Sequence, residues 1–234
     1  MMSKPVHAPS PFHTQYSEGQ NRTLVQAAQN GDRQALEELL KLHQPYVYNV
    51  AWKMVHDPND AWDLTQEAFV KVITHLSQYQ FKSAFRTWLY RIVLNHFLAA
   101  KRKEHEKSFQ DFEHLGNMLD AIPDSEMTAE EQITYREEVE EMRIQCMSGM
   151  LLCLSRPQRL VYVLGDVYRV PQALAAELLE LSPANYRVQL FRARQDLRQF
   201  MDNKCSLVNP TNPCKCPKKA KTMLAEGKLD PQNR

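Results

Sequence analysis

The sequence predicts an all-α protein: two small helical domains, an N-terminal helical bundle and a C-terminal helix-turn-helix, joined by an acidic linker. Three observations carry that prediction. Apolar residues recur at three- and four-residue spacings through most of the chain. Glycine is scarce, with six in 234 residues against an ordinary share of about 7%, and Leu, Ala, Gln, Glu and Arg fill the periodic segments. Charge is also segregated. Between Glu104 and Glu141 thirteen acids meet two bases, a net −11, although the whole chain carries +1, so the flanks are basic.

The elements follow in order. Residues 1–21 carry Pro, Ser, His and Gln without periodicity and are expected to form a mobile arm. The first domain is expected over 22–103. Leu24, Ala27 and Ala28 precede a Gly31-Asp32 break, Ala35, Leu36, Leu39 and Leu40 follow at helical spacing, and Tyr46, Val47, Val50, Ala51 and Met54 repeat it, which fits three short helices. Asp57-Pro58-Asn59-Asp60 is a turn whose Asn or Asp can cap the next helix. There Leu64, Ala68, Val72 and Leu76 form an i, i+4 ridge joined by Phe69 and Ile73, leaving Asp63, Gln66 and Glu67 for solvent or a partner. A loop near Gln78 to Lys82 leads to a helix with the stripe Phe85, Trp88, Leu89, Ile92, Val93 and Phe97. Lys101-Arg102-Lys103 closes it, where cations suit both the helix dipole and phosphate.

Residues 104–142 are the acidic linker, and the second domain is expected over 143–203. Periodicity resumes near Tyr135 and runs to Leu154, with Cys146, Met150 and Cys153 on one side, and Ser155-Arg156-Pro157 opens the next helix. Arg159 to Tyr168 reads as one helix, Pro171 to Leu179 as a second, and Ser182-Pro183 starts a third reaching about Met201. Ser as N-cap with Pro at the first helical position is a strong start signal. A short helix, a tight turn and a longer basic helix make the helix-turn-helix outline. Residues 204–234 form a Cys/Lys/Pro-rich tail.

Several classes of function are disfavoured. No apolar run approaches the roughly 18 residues that would suggest a membrane span, and Met1 to Gln20 lacks the basic-then-apolar order of a signal peptide, so a cytoplasmic protein without membrane insertion is expected. Five cysteines, an odd number, suit free thiols or a metal site better than a disulfide framework. With no glycine-rich phosphate loop, H-E-x-x-H or G-x-S-x-G, and with eight scattered histidines, the chain is expected not to be an enzyme and to require no cofactor.

What is present instead suits nucleic acid. In the last helix Tyr186, Leu190, Ala193, Leu197 and Phe200 share one face. A recognition helix inserts its N-terminal half into the major groove, which makes Asn185, Arg187, Val188, Phe191 and Arg192 candidate base or backbone contacts, with the helix start at Ser182 able to hold a phosphate. An ordinary solvated basic helix would show the same pattern. Between Gln80 and Arg102, Gln80, Phe81, Lys82, Ser83, Arg91, Asn95, Lys101 and Arg102 are the exposed candidates for single-stranded DNA, while Phe85, Trp88 and Phe97 are assigned to packing. In the tail, Cys205, Cys214 and Cys216 with adjoining prolines and lysines suggest zinc or copper, with lysines favouring the thiolates and Cys146 or Cys153 as a further ligand. Three cysteines without a close His are an incomplete tetrahedral set, and a redox thiol or an inert basic tail are the alternatives.

Asp63-Leu64-Thr65-Gln66-Glu67-Ala68-Phe69, the segment Ser83 to Asn95, and Leu190-Phe191-Arg192-Ala193-Arg194, in that order, resemble the extracytoplasmic-function group of bacterial sigma factors, the dissociable promoter-recognition subunits of RNA polymerase. The resemblance covers roughly Thr23 to Lys103 and Leu151 to Met201. It implies that Asp63, Gln66 and Glu67 bind the clamp coiled coil of the largest polymerase subunit. It further implies that the loop Gln80 to Ser83, with Asn95, holds a flipped base of the melted minus-ten element, and that Arg187, Val188, Phe191 and Arg192 read the minus-thirty-five element. The acidic linker would thread the active-site and RNA-exit channels, imitating nucleic acid, and polymerase would perform the catalysis. Core RNA polymerase and promoter DNA are the implied partners, with an anti-sigma factor as a further one. Two departures stand out: Glu180 where the family usually has Gly, and Val188 where a small polar residue is common. The tail, Cys205 through Cys214-Lys215-Cys216, resembles cysteine-bearing C-terminal extensions of some members, a few of which sense metal. A free-standing helix-turn-helix regulator would use the same last helix but leaves Asp63 to Val72 without a task. A metal-binding helical adaptor built around the tail predicts no specific DNA contact.

Overall fold

The computed structural model describes residues 17–229, so residues 1–16 of the expected arm and 230–234 of the tail lie outside the described residues. Among the described residues the chain forms twelve α-helices and no strand, apart from one isolated bridge pairing Cys205 with Cys214. Two compact units emerge. One takes in the chain up to His105 together with Arg156–Leu190; the other takes in Glu106–Ser155 and Phe191 onward.

The first unit opens with α1 (Glu18–Gln29), capped by Ser17, whose hydroxyl accepts from the Gln20 amide at 3.2 Å. Residues 17–21, which lack apolar periodicity, therefore already belong to structure. Asn21 is fully buried, its carbonyl oxygen 3.1 Å from His43 Nε2. Next, α2 (Arg33–Val55), capped by Asp32, runs unbroken where the spacing predicts two short helices. Pro45 sits inside it on the solvent side. An interior proline costs about 3 kcal/mol. Leu39, Val47, Val50 and Met54 stay in one buried stripe across it, each worth about 1.5–3 kcal/mol, so tertiary burial overrides the local break.

His56, left-handed at φ 51°, ends α2, and Asp57 caps α3 (Pro58–His75) with Pro58 at its first position. Leu64, Ala68, Phe69, Val72 and Leu76 are buried, whereas Ile73 is 43% exposed and lies outside the expected ridge. α4 (Phe85–Ala99) buries Phe85, Leu89, Val93 and Phe97, with Trp88 and Ile92 half-buried. α5 (Glu104–Ser108) spans the division between the units.

In the same unit, α9 (Arg156–Tyr162) continues through a π turn, Val163–Val167, to α10 (Gln172–Leu178) and the start of α11 (Pro183–Lys204). Arg159, fully buried, donates to the Met54 carbonyl. The Arg156 guanidinium lies 4.7 Å over the Phe97 ring and donates to the Phe97 carbonyl at 3.0 Å, and the Tyr168 hydroxyl donates to the Asn49 carbonyl at 3.0 Å. These polar anchors seat α9 and its turn on α2 and α4. At Gly165 an added Cβ would lie 2.9 Å from the Tyr186 hydroxyl and 3.0 Å from Leu190, so only glycine permits this approach of the π turn to α11. The turn between α10 and α11 closes with Leu181 N–H on the Ala176 carbonyl (2.9 Å) and Glu180 N–H on the Glu177 carbonyl (3.2 Å), the paired bonds of a Schellman end. Glu180 occupies its left-handed position at φ 55°, at a cost of about 1–2 kcal/mol that glycine would avoid.

The second unit shows that the acidic segment is partly helical. Asp111 caps α6 (Phe112–Ala121), a Thr128/Glu131 capping box opens α7 (Ala129–Thr134), and α8 (Arg136–Cys153) follows. The later turns of α11 and α12 (Cys216–Ala225) complete it. Asn212 turns the chain back after α11, its side-chain amide donating to the carbonyls of Met201 (3.3 Å), Asp202 (2.8 Å) and Cys205 (3.1 Å). The Met201 carbonyl also accepts the Cys205 N–H at 2.9 Å and the Cys205 carbonyl the Val208 and Asn209 N–H groups at 3.2 and 3.1 Å, so the Asn212 amide ties the last turn of α11 to the turn that follows it.

Candidate nucleic-acid interface

Asp63, Gln66 and Glu67 stand exposed on α3. Two of them have resident partners. Lys103 Nζ lies 2.6 Å from Asp63 and 3.4 Å from Asp60, and the hydrogen bond to Asp63 is the main reason the lysine's pKa is raised. His96 Nε2 lies 2.8 Å from a Glu67 oxygen. Val70, 60% exposed, and Trp62, 37% exposed, flank the acids, so the face offers apolar area as well as charge. Neither Lys103 nor His96 is marked by the α3 pattern; both arrive through the packing of α4 and the residues after it.

The loop before α4 is built around Tyr79, a buried residue that the periodicity passes over. Its hydroxyl donates to the Ser83 carbonyl at 2.5 Å, its ring lies 4.8 Å from Phe81, and Gln29 of α1 donates to the carbonyls of Leu76 and Tyr79 at 2.8 and 2.9 Å. Phe81 adopts a left-handed backbone at φ 58°, half-buried, with the Arg22 guanidinium 5.1 Å over its ring. Ser83 is likewise half-buried, while Gln80 and Lys82 are exposed. Of the expected exposed set, Phe81 and Ser83 therefore shape the loop as much as they face outward. Ala84, at the N-cap of α4, has no capping side chain, and Glu18 supplies one from α1, accepting the Phe85 N–H at 2.7 Å.

Along α4, Asn95 is exposed, as are Lys101 and Arg102 beyond its end. Arg91 is half-buried and already engaged, with Nη2 3.3 Å from Glu177 and Nε 3.9 Å from Glu180. Its use on DNA requires those contacts to break.

On α11 the Ser182 hydroxyl accepts from the Asn185 N–H at 3.2 Å, as a cap should. Asn185, Arg187, Val188, Phe191 and Arg192 are exposed, and Val188 and Phe191 keep 47% and 65% of their surface in solvent. Tyr186, Ala193, Leu197 and Phe200 form the buried side, with Leu190 half-buried. Two apolar side chains left exposed among arginines on one helix make a surface suited to base edges as well as phosphates.

In the tail, Cys205 and Cys214 face each other across the isolated bridge, Cys214 and Cys216 are buried, and none of the five cysteines is in a disulfide. The lysines do not make thiolates of Cys146, Cys214 and Cys216, whose pKa values are all raised. Burial first, then the other thiols, push Cys146 up to about 12 and Cys214 to about 11, with Lys219 opposing the rise at Cys214 only in part. Lys218, Lys219 and Lys221 are committed to carboxylates instead, those of Glu126, Asp124 and Glu131. Cys146, on α8, lies within electrostatic reach of Cys205, Cys214 and Cys216. Among the described residues no group of three or more His, Cys, Asp or Glu side chains is placed to hold a metal ion, so the thiols as arranged do not fit one. Nor is any helix among them long and apolar enough to cross a membrane.

Fold and surfaces together define a helical protein with an exposed acidic face on α3 and two surfaces chemically suited to nucleic acid. A family model for sigma-70 region 2 matches residues 39–106 and one for sigma-70 region 4 matches residues 144–197, together just over half of the chain. The chain belongs to the extracytoplasmic-function sigma factors, which direct bacterial RNA polymerase to promoters. The RNA polymerase sigma-H factor of Pseudomonas aeruginosa is 29% identical over 182 residues, spanning 75% of this chain and 91% of that protein. The ECF RNA polymerase sigma-E factor of Escherichia coli is 26% identical over 187 residues, 79% of this chain and 93% of that one. CnrH, solved in complex with the cytosolic domain of CnrY, shares the fold with a TM-score of 0.53 at 22% identity, over 78% of this chain and 97% of that chain.

Proposed function

We propose that the chain docks on core RNA polymerase through Asp63, Gln66 and Glu67 and carries promoter DNA on two modules. Gln80, Phe81, Lys82, Ser83, Arg91, Asn95, Lys101 and Arg102 hold the melted minus-ten strand. Ser182, Asn185, Arg187, Val188, Phe191 and Arg192 read the minus-thirty-five duplex. One observation carries the reading: the region 2 and region 4 matches fall in that order and between them contain every one of these side chains. Stacking on Phe81 and backbone attraction to Lys82, Lys101 and Arg102 are what an unpaired strand offers to bind. Arginines beside Val188 and Phe191 on a capped helix start suit the major groove.

The acidic segment enters polymerase channels in place of nucleic acid, and bond-making belongs to polymerase, so this chain acts without chemistry of its own, in the cytoplasm. An anti-sigma partner would compete for α3 or α4. The finer reading of the tail is a soft metal, zinc or copper, at Cys205, Cys214 and Cys216. It requires the thiols to draw together and lose protons, and a spectrophotometric zinc titration of the full chain tests it.

Run-off transcription from fragmented genomic DNA, with and without this protein added to core bacterial polymerase, tests the whole proposal. New discrete transcripts are expected, with start sites that reveal the promoter. No transcripts from a folded protein, together with tight duplex binding in the absence of polymerase, would favour a free-standing regulator.

A further inference from the structure

The acidic segment and the C-terminal extension are absorbed by neither DNA-binding surface, and within the second unit they are bonded to each other. Lys204, at the end of α11, pairs with Asp120. Lys218 pairs with Glu126. Lys219, a buried lysine, lies 2.9 Å from Asp124 and donates to the Ile122 carbonyl. Lys221 lies 2.7 and 2.9 Å from the two Glu131 oxygens and donates to the Glu126 carbonyl at 2.8 Å. Thr222 adds a hydroxyl bond to the Pro123 carbonyl at 2.7 Å. Four lysines thus meet four carboxylates across sequence separations of 84 to 95 residues.

Isolated exposed ion pairs are worth little. This set differs because the ammonium groups of Lys219 and Lys221 are also bonded to main-chain carbonyls, and because Lys219 and Thr222 are buried. Charge-assisted bonds that share donors in one network are the stronger kind. The geometry has a direction as well: the Asn212 turn and the Cys205/Cys214 bridge bring the chain back after α11 and deliver α12 to the acids.

We infer that the C-terminal extension is an internal ligand of the acidic segment. Lys204 and helix α12 occupy carboxylates that the proposed function presents to polymerase, and they must leave before the segment can enter the channels. A helix of lysines is the chemical stand-in for the basic lining of a nucleic-acid channel, so extension and polymerase compete for one set of charges. The inference rests on the proposed role of the acidic segment.

The test uses full-length K218E/K221E, the connector variant E126K/E131K, and the four-site charge swap that combines them. Lys219, being buried, is left intact. Amide hydrogen exchange over residues 120–135 is read on the free protein, and the concentration giving half-maximal run-off transcription is read with core polymerase. K218E/K221E is expected to speed exchange about tenfold or more and to lower the half-maximal concentration about threefold, while the charge swap restores protection; a tenfold change corresponds to about 1.4 kcal/mol of local opening. Unchanged exchange in K218E/K221E overturns the inference. Faster exchange with no gain in transcription also overturns it if E126K/E131K alone is impaired in transcription. If E126K/E131K transcribes normally, the role proposed for the acidic segment is what fails. K218Q/K221Q serves in place of the reversal if circular dichroism shows that variant unfolded.

Discussion

Glu18 is expected to hold the start of α4 and the loop before it in place from sixty-seven residues away. Its carboxylate accepts the Phe85 N–H at 2.7 Å where Ala84 gives α4 no cap of its own. Glu18→Ala removes a cap, worth about 0.5–2 kcal/mol, and a negative charge at a helix start, worth about 0.3–1 kcal/mol. The two overlap, since one carboxylate makes both, so a net loss of about 1–2 kcal/mol is expected. Glu18→Gln keeps an acceptor and loses only the charge, for about 0.3–1 kcal/mol. Urea unfolding at low salt measures both; with m near 3 kcal/mol/M the alanine variant's midpoint falls by about 0.3–0.7 M. Adding salt should narrow the gap between wild type and the glutamine variant, because only the charge is screened. The Phe85 amide should exchange faster in Glu18→Ala. Equal midpoints together with an unchanged Phe85 amide would refute the reasoning.

Other outcomes follow from the same structure. Glu67→Lys, which reverses an exposed charge on α3, should abolish capture by core polymerase while far-UV circular dichroism stays unchanged; retained capture would remove that face from the proposal. Arg192→Ala should weaken promoter binding by about 1–3 kcal/mol if the side chain reads a base, or lower the salt slope by about one if it touches only phosphate, in polymerase-dependent footprinting. Burial, then the nearby Arg86, holds the His43 pKa down at about 4 from an ordinary 6.5. The unfolded chain therefore binds a proton that the folded chain refuses, and stability falls as pH drops from 6.5 toward 4, by about 2 kcal/mol at pH 5. His43→Gln should flatten that part of a urea-midpoint profile.

The local signals in the sequence carried the helices that matter most for function. Ser182-Pro183 and Asp57-Pro58 each hold a cap and a pre-set φ within two residues, and both helices begin there. The buried side of α11 likewise follows from the spacing of Tyr186, Ala193, Leu197 and Phe200. What stayed illegible depends on partners distant in the chain. No local pattern joins Glu18 to Phe85, Arg159 to Met54, or Lys221 to Glu131. Pro45 reads as a break until the stripe beneath it is seen to continue. The same cause separates the thiols from the expectation: Lys218, Lys219 and Lys221 pair with residues 124–131, and burial is the main cause that raises the Cys214 pKa.

If α3 is the docking face proposed above, the pairing of Asp63 with Lys103 and of Glu67 with His96 turns recruitment into an exchange reaction. A partner bringing its own cations to α3 swaps them for residents already in place, so the gain per contact is the difference between two similar bonds. Fewer small ions are released than a bare acidic face would shed, which flattens the dependence of association on salt. Detachment is eased in turn, because Asp63 finds the Lys103 ammonium and Glu67 the His96 ring nitrogen on its own chain as the partner leaves. The proposed docking face would then have a grip that is firm in aggregate and cheap to undo one contact at a time.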